Sequence, residues 1–112
     1  MGDKEGAISD FNSALAINPL QKSILYRRGV ELLKLGFYKK ALSDNNKVID
    51  LDPSFAPAYR NRGIVRLQLN DIQGACKDIG KSFSLGDDKT KNLLKKLNSN
   101  DMELCPSLLV AN

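Results

Sequence analysis

The chain has 112 residues, of which 42% are hydrophobic and 27% are charged, a composition typical of one soluble globular or helical-repeat domain. Lys and Arg total 17 against 13 Asp and Glu, for a formal net charge of +4. The two signs are interspersed, whereas a dedicated nucleic-acid binder concentrates its positive charge on one face or run. Histidine is absent, which excludes Ser–His and Cys–His nucleophiles. These features argue against an enzyme and against a nucleic-acid partner.

The N-terminal stretch and the two cysteines bear on cofactors and compartment. The start, MGDKEGAI, lacks the segments of a secretory signal, and no apolar run approaches the roughly 20 residues that span a bilayer. A zinc site needs more ligands at tighter spacing than Cys76 and Cys105 provide. We therefore expect no cofactor, no metal, no membrane partner and a cytoplasmic protein. In that compartment two free thiols are favoured over a Cys76–Cys105 disulfide.

The sequence repeats itself at an interval of 34 residues. INPLQKSILYRRG (17–29) is followed 34 positions later by LDPSFAPAYRNRG (51–63). An interval of this length predicts a solenoid of stacked helical or mixed units. The residues that coincide in this register are Pro19 with Pro53, Arg28 with Arg62, Gly29 with Gly63, Ala7 with Ala41 and Ala75, and Asp10 with Asp44 and Asp78.

Proline, glycine and asparagine divide the chain into helices. Proline lacks an N–H and crowds the preceding turn, so Pro19 and Pro53 follow the ends of two helices. Gly36 and Asn70 accept the left-handed backbone with which helices commonly stop, so they follow the ends of two others. In chain order the predicted helices are 4–17, 21–35, 38–51, 56–69, 72–85 and 88–98.

The repeated glycines and charges predict how the helices pack. Glycine inside a helix costs roughly 1 kcal/mol relative to alanine, which makes sense where the helix opposite approaches closely. Gly29 and Gly63 are therefore expected to face Ala41 and Ala75. Arginine and aspartate recur in one register, which predicts a ladder of Arg–Asp pairs between packed helices. Asn45, in an otherwise apolar column, is expected to bond to a neighbouring arginine.

This pattern resembles the tetratricopeptide repeat, whose 34-residue unit is written W-x2-L-G-x2-Y, then A-x3-F, then P. Leu25 and Tyr59 stand in the tryptophan place, and the repeated glycines, alanines and prolines stand in theirs, over about residues 2–86. Arg28 and Arg62 depart from it by replacing the leucine before glycine. The resemblance implies an all-α, right-handed superhelix of antiparallel helix pairs. Its units would be a partial unit 2–19 (second helix only), two full units 20–53 and 54–87, a capping helix 88–98 and a tail 99–112.

The first predicted helix has one expected neighbour missing, because its unit lacks a leading helix. Ile8, Phe11, Leu15 and Ile17 would then show an apolar face, and such faces usually mark contact. We interpret the chain as a fragment of a longer array, with self-association through helix 4–17 as the alternative.

The resemblance also implies a concave groove lined by the first helix of each pair, and thus a protein–protein interaction module that binds a partner's peptide segment. Cationic, amide and apolar side chains in this groove fit an acidic or partly apolar peptide. The bland alternative is an ordinary solvated face, and the alternative functions are a single-stranded RNA-binding repeat or a structural, self-associating element. The predicted groove residues are Tyr26, Arg27, Val30, Lys34, Arg60, Asn61, Ile64 and Gln68.

One subclass of the family captures the C-terminal carboxylate of chaperones with lysines, asparagines and an arginine spread over three repeats. Asn61 and Arg27 fit that clamp, whereas Tyr26 and Val30 fall where clamp residues are expected. The sequence alone therefore disfavours chaperone-tail binding.

Overall fold

The computed structural model describes residues 3–97 and Cys105. Within these residues it contains six α-helices and no strand, so the all-α prediction is confirmed. Every predicted helix end lies within one residue of the observed one. The helices are α1 Asp3–Ile17, α2 Lys22–Lys34, α3 Tyr38–Leu51, α4 Ala56–Gln68, α5 Ile72–Ser84 and α6 Lys89–Leu97. By its internal contacts the chain forms two compact units, Met1–Ser54 and Phe55–Asn112.

In the first unit, α1 packs on α2 and α2 pairs with α3. The turn between α2 and α3 uses Gly36 with a φ of 85°, and the Phe37 N–H donates to the Leu32 carbonyl at 2.9 Å. The turn between α1 and α2 is fastened by Gln21, whose Nε2 donates to the carbonyls of Ala14 at 2.9 Å and Asn18 at 3.0 Å. Both turns satisfy helix carbonyls that would otherwise lack a partner.

In the second unit, α4 pairs with α5, and α6 packs on α5. Asn70 has the predicted left-handed backbone, with a φ of 65°. Asp71 caps α5 by accepting from the Gly74 N–H at 3.0 Å. The end of α5 differs from the ends of α1 and α3. Those two helices end two residues before a proline, whereas α5 ends at Ser84, two residues before Gly86, which has a φ of 95°.

The repeated glycines face the opposite helix of their pair near Ala41 and Ala75, as expected. A Cβ placed on Gly63 would be 3.1 Å from the Ala75 carbonyl oxygen and 2.8 Å from Ile79 Cγ1. A Cβ placed on Gly29 would be 3.9 Å from the Ala41 oxygen. The opposite helix is therefore closer at Gly63 than at Gly29.

The arginines and aspartates form the expected pairs inside each hairpin. Arg28 donates to both carboxylate oxygens of Asp44 at 2.8 and 2.7 Å, and these hydrogen bonds raise the pKa of Arg28. Arg62 makes the same fork with Asp78 at 2.8 and 2.7 Å. Because both aspartates are buried, the pairs fix how each hairpin closes.

Two sequence expectations are wrong. Asn45 is fully buried, and neither of its amide atoms has a hydrogen-bond partner in the described part of the chain. It does not bond to Arg28 because the Arg28 side chain is occupied by Asp44 and Asn12. The thiols are not free either: Cys76 and Cys105 form a disulfide with Cα atoms 5.4 Å apart, a separation that suits the bond.

The face of α1 is less open than the sequence suggested. Leu15 is buried, and Ile8 and Phe11 are half-buried. Of the four apolar residues predicted on that face, Ile17 alone is exposed, at 89%. Apart from Cys105, the predicted tail 99–112 lies outside the described residues.

Candidate functional site

The four predicted groove residues of the first unit follow one side of α2. Tyr26, Val30 and Lys34 are spaced by four residues, which places them on one helix face; Arg27 lies beside them. That face is opposite the buried Leu25. Tyr26 and Val30 are half-buried, while Arg27 and Lys34 are exposed. The face is thus amphipathic.

The two cations of α2 have weak local contacts. The Arg27 guanidinium carbon lies 5.3 Å from the centre of the Phe11 ring on α1, which leaves its hydrogen-bond donors open to solvent. Lys34 Nζ is 3.8 Å from Glu31 Oε2, with the lysine side chain 54% exposed. An exposed pair of this kind contributes little, so both cations can contact an acidic ligand.

Arg60, predicted to bind a peptide, is used inside the second unit. Its guanidinium forms an ion pair with Asp87, at the turn before α6, and both side chains are largely buried. Asp87 also accepts from Ser82 Oγ at 3.1 Å and, at the start of α6, from the Lys89 N–H at 3.1 Å. Arg60 therefore ties α4 to the turn that precedes α6, and its charge is already neutralised.

The other three residues of α4 are better placed for a ligand. Gln68 is exposed and Ile64 is half-buried. Asn61 is largely buried, with 7% of its surface exposed. The amide of an asparagine can both donate to and accept from the backbone of a bound peptide.

The lysines of α6 were not predicted to belong to the site, because this segment was predicted to be a capping helix. Lys91 and Lys95 lie one repeat interval after Pro57 and Asn61, so they hold the same register on α6 that Asn61 holds on α4. The signal was present in the sequence: the 34-residue count continues past Asp87, where the proline is missing. The exposed residues of α6 include Lys89, Lys91, Asn92, Lys95 and Lys96.

The charge of α6 is one-sided. Its sequence KTKNLLKKL contains four lysines and no acidic residue. Asp87, the carboxylate that precedes it, is engaged by Arg60. Thr90 is buried and its hydroxyl lies 2.8 Å from Ser82 Oγ, which fixes the inner side of the helix. The outer side of α6 presents its lysines to solvent.

None of the described helices is long and apolar enough to cross a membrane.

No protein-family model matches the chain. Among curated proteins it is similar to the SGT1 homolog of Oryza sativa subsp. japonica, with 33% identity over 96 residues. That alignment covers 84% of this chain and 26% of the rice protein. The chain thus spans about a quarter of that relative's length.

Solved structures with the same arrangement are tetratricopeptide domains. The first such domain of Spaghetti (RPAP3), bound to the HSP90 peptide SRMEEVD, superposes with a TM-score of 0.79 at 24% identity, over 99% of this chain and 82% of that one. The second such domain of human RPAP3, in complex with the HSP70 peptide SGPTIEEVD, gives a TM-score of 0.78 at 26% identity, over 88% and 84%. The predicted helical-repeat fold is confirmed by these likenesses.

Proposed function

Because the chain is built of tetratricopeptide repeats, we propose that it is a non-enzymatic interaction module that binds an acidic peptide segment of a partner protein. One observation carries the proposal: the exposed lysines of α6 lie in the 34-residue register of Asn61, which is on α4 in the same unit. The human RPAP3 domain is bound to a peptide that ends in Glu-Glu-Val-Asp, which is a ligand of the proposed class.

The second unit supplies the chemistry that such a peptide requires. Carboxylates need cationic donors, and Lys91 and Lys95 provide two in adjacent turns of one helix. A peptide backbone needs a donor and an acceptor together, and the Asn61 amide offers both. The Arg60–Asp87 ion pair brings the start of α6 to the helix that carries Asn61. An extended acidic segment would meet charge on α6 and amide and apolar contact on α4, through Asn61, Ile64 and Gln68.

The face of α2 is a proposed contact surface in the first unit, considered on its own. Arg27 and Lys34 are exposed cations, and Tyr26 and Val30 give half-buried apolar surface between them. This mixture also suits an acidic, partly apolar segment. We do not include Arg60 among the proposed peptide contacts, because its guanidinium is paired with Asp87.

The lysines of α6 favour the chaperone-tail hypothesis, which the sequence alone disfavoured. The clamp of that subclass draws its residues from three repeats, and α6 lies where the 34-residue register places the first helix of a third repeat. Lys91 and Lys95 supply cations at the third, while Tyr26 and Val30 still depart at the first. We propose that a chaperone-type acidic tail binds to the second unit, through Lys91 and Lys95 of α6 and Asn61 of α4.

The test compares two charge-reversal pairs that change the net charge equally. Lys91→Glu with Lys95→Glu should weaken binding of labelled SGPTIEEVD by about tenfold or more, measured by fluorescence anisotropy, because each reversal replaces attraction with repulsion. The control pair is Lys39→Glu with Lys47→Glu on α3, where both lysines are exposed. Equal affinities of the two double variants would contradict the proposed site.

The same titration with a single-stranded RNA probe separates the alternative partner. Lysines also attract phosphates, and RNA binding would show an affinity that falls steeply with salt concentration. Tighter binding of the RNA than of the peptide at 150 mM salt would overturn the peptide proposal. The cytoplasmic location also stays a proposal, and cell fractionation of the natural protein tests it.

A further inference from the structure

The first unit contains a cavity of about 290 Å³ that is lined by residues of α1, α2 and α3. It lies on the side of α2 away from the proposed peptide contacts, because the step from Tyr26 to Arg28 turns about 200° around the helix. Its apolar lining is Ile8 of α1 and Leu32 of α2.

Leu32 distinguishes this part of the first hairpin from the second. The corresponding residue of the second hairpin is Arg66, whose Nη1 donates to Asp78 at 2.8 Å. Leucine is shorter than arginine and has no hydrogen-bond donor, so Leu32 makes no such contact with Asp44. The first hairpin therefore has a cavity beside its buried aspartate, where the second hairpin has an arginine side chain.

Three exposed side chains supply hydrogen-bond donors to the cavity, namely Asn12, Lys40 and Ser43. Asn12 accepts from Arg28 Nη1 through its Oδ1, at 2.9 Å, which leaves the two donors of its Nδ2 for a ligand. Lys40 Nζ lies 5.6 Å from the centre of the Phe37 ring. Among the described residues, no carboxylate forms an ion pair with Lys40.

The charges of the cavity add up to one positive charge. Asp44 accepts from Arg28 through both of its carboxylate oxygens, so these two opposite charges compensate each other. Lys40 is the remaining charge. One cation, several donors and an apolar wall suit a ligand that has a single carboxylate and an aliphatic body. A cationic ligand would meet Lys40 and would find the one carboxylate already used.

We propose that this cavity binds a small aliphatic monocarboxylate. The ligand carboxylate accepts from Lys40, Ser43 and Asn12, and its aliphatic chain lies against Ile8 and Leu32. Each helix contributes about one turn to the lining, or about 6 Å, which an extended peptide crosses in about two residues. The volume is also at the lower end of the range for ligand pockets, so the site suits a small acid rather than a peptide segment.

The probe is hexanoate, titrated into the nitrogen-15-labelled full chain at pH 7 and followed by amide chemical shifts. We expect saturable shifts in segments 8–12 and 40–44, with a Kd on the order of 1 mM. Lys40→Met should weaken binding about fivefold, because it keeps an apolar stem and removes the charge. Lys39→Met is the matched control, since Lys39 is also exposed and does not line the cavity. The amide spectra without hexanoate show whether both variants are folded.

Two further probes test the chemistry of the ligand. Acetate lacks most of the aliphatic body and should bind about tenfold more weakly than hexanoate or less, and hexylammonium, with the opposite charge, should not bind. This pattern, with weaker hexanoate binding in Lys40→Met alone, would support the proposal. Equal affinities of the two variants, shifts that do not saturate, or binding of hexylammonium as tight as that of hexanoate would each overturn it.

A competition experiment separates this site from the proposed peptide site. Hexanoate binding that is unchanged by saturating SGPTIEEVD would support an independent cavity in the first unit. Displacement of hexanoate by the peptide would assign the cavity to the peptide and overturn the small-molecule site. A chain that binds hexanoate and not the peptide would contradict the proposed function and leave this inference in place.

Discussion

In the hairpin α2–α3, Asn45 stands where the hairpin α4–α5 has Ile79, and both side chains are fully buried. Asp44 is held by one arginine, while its counterpart Asp78 is held by two: Arg66 Nη1 donates to it at 2.8 Å in addition to the Arg62 fork. In the first hairpin, the position that corresponds to Arg66 is Leu32. The two hairpins thus share one backbone arrangement but differ in the side chains packed between their helices.

Some residues determine the backbone of both hairpins, whereas others only occupy the space between the helices. Glycine at the close approach, a left-handed residue at the turn and one Arg–Asp fork are common to both hairpins. The filling residues differ in polarity and size without moving the helix ends. The difference should therefore appear in stability rather than in architecture, and substitutions can test this position by position.

The largest effect is expected at the buried pair Asn45 and Ile79. Ile79→Asn places an amide in an apolar site and removes packed methyl groups, which should lower the free energy of unfolding by about 3–5 kcal/mol. Asn45→Leu should raise it by about 1–3 kcal/mol, because a buried amide without a partner is removed. Urea denaturation of the full chain at pH 7 measures both. A loss of stability in Asn45→Leu would mean that the amide is satisfied in solution.

The next largest difference in stability is expected from the arginines that bind the two buried aspartates, Asp44 and Asp78. Arg28→Met leaves the buried Asp44 carboxylate without its fork and should cost about 3 kcal/mol. Arg62→Met leaves Asp78 with Arg66 and should cost about 1 kcal/mol. Both arginines are replaced by the same apolar residue, so each variant is the control for the other. Equal losses in urea denaturation would show that Arg66 does not compensate.

The repeated glycines should respond in opposite directions. Gly63→Ala pushes a methyl group to 2.8 Å from the fully buried Ile79 side chain and 3.1 Å from a backbone oxygen, which should cost about 1–3 kcal/mol. Gly29→Ala meets Asp44 Cβ at 3.4 Å, an ordinary contact. Because alanine is the better helix former, Gly29→Ala should be neutral or gain up to about 1 kcal/mol. Thermal unfolding of both variants, followed by circular dichroism, gives the signs.

The helices and turns were predictable from sequence because their determinants are local. Gly36, Asn70 and Asp71 act through backbone conformation and capping, which depend on residue type and position alone. The Arg–Asp forks were predictable because the repeat interval fixes which side chains meet. The unpaired state of Asn45 was not, since it depends on how the Arg28 fork is already used.

The candidate site was predictable only in part. Spacing placed Tyr26, Val30 and Lys34 on one face, but it could not show that Arg60 pairs with Asp87, because that aspartate stands where the repeat pattern has proline. The disulfide was missed because compartment, not geometry, was used to judge the cysteines. Contacts made by residues outside the repeat register need coordinates.

The smallest expected effect concerns an ion pair that only the first unit has. Lys22 Nζ lies 2.8 Å from Asp52 Oδ2, and the Lys22 hydrogen bond, followed by those from Ser54, lowers the pKa of Asp52. A lowered carboxyl pKa adds stability above the ordinary value near about 3.9, and this is lost as pH falls through the folded-state value. Lys22→Met should move the Asp52 pKa back toward the ordinary range in an NMR titration, with Lys39→Met as the control. The second unit has no such pair, because Ala56 and Gly86 stand at the corresponding positions. An unchanged Asp52 pKa in Lys22→Met would show that the hydrogen bonds from Ser54 account for the lowered pKa.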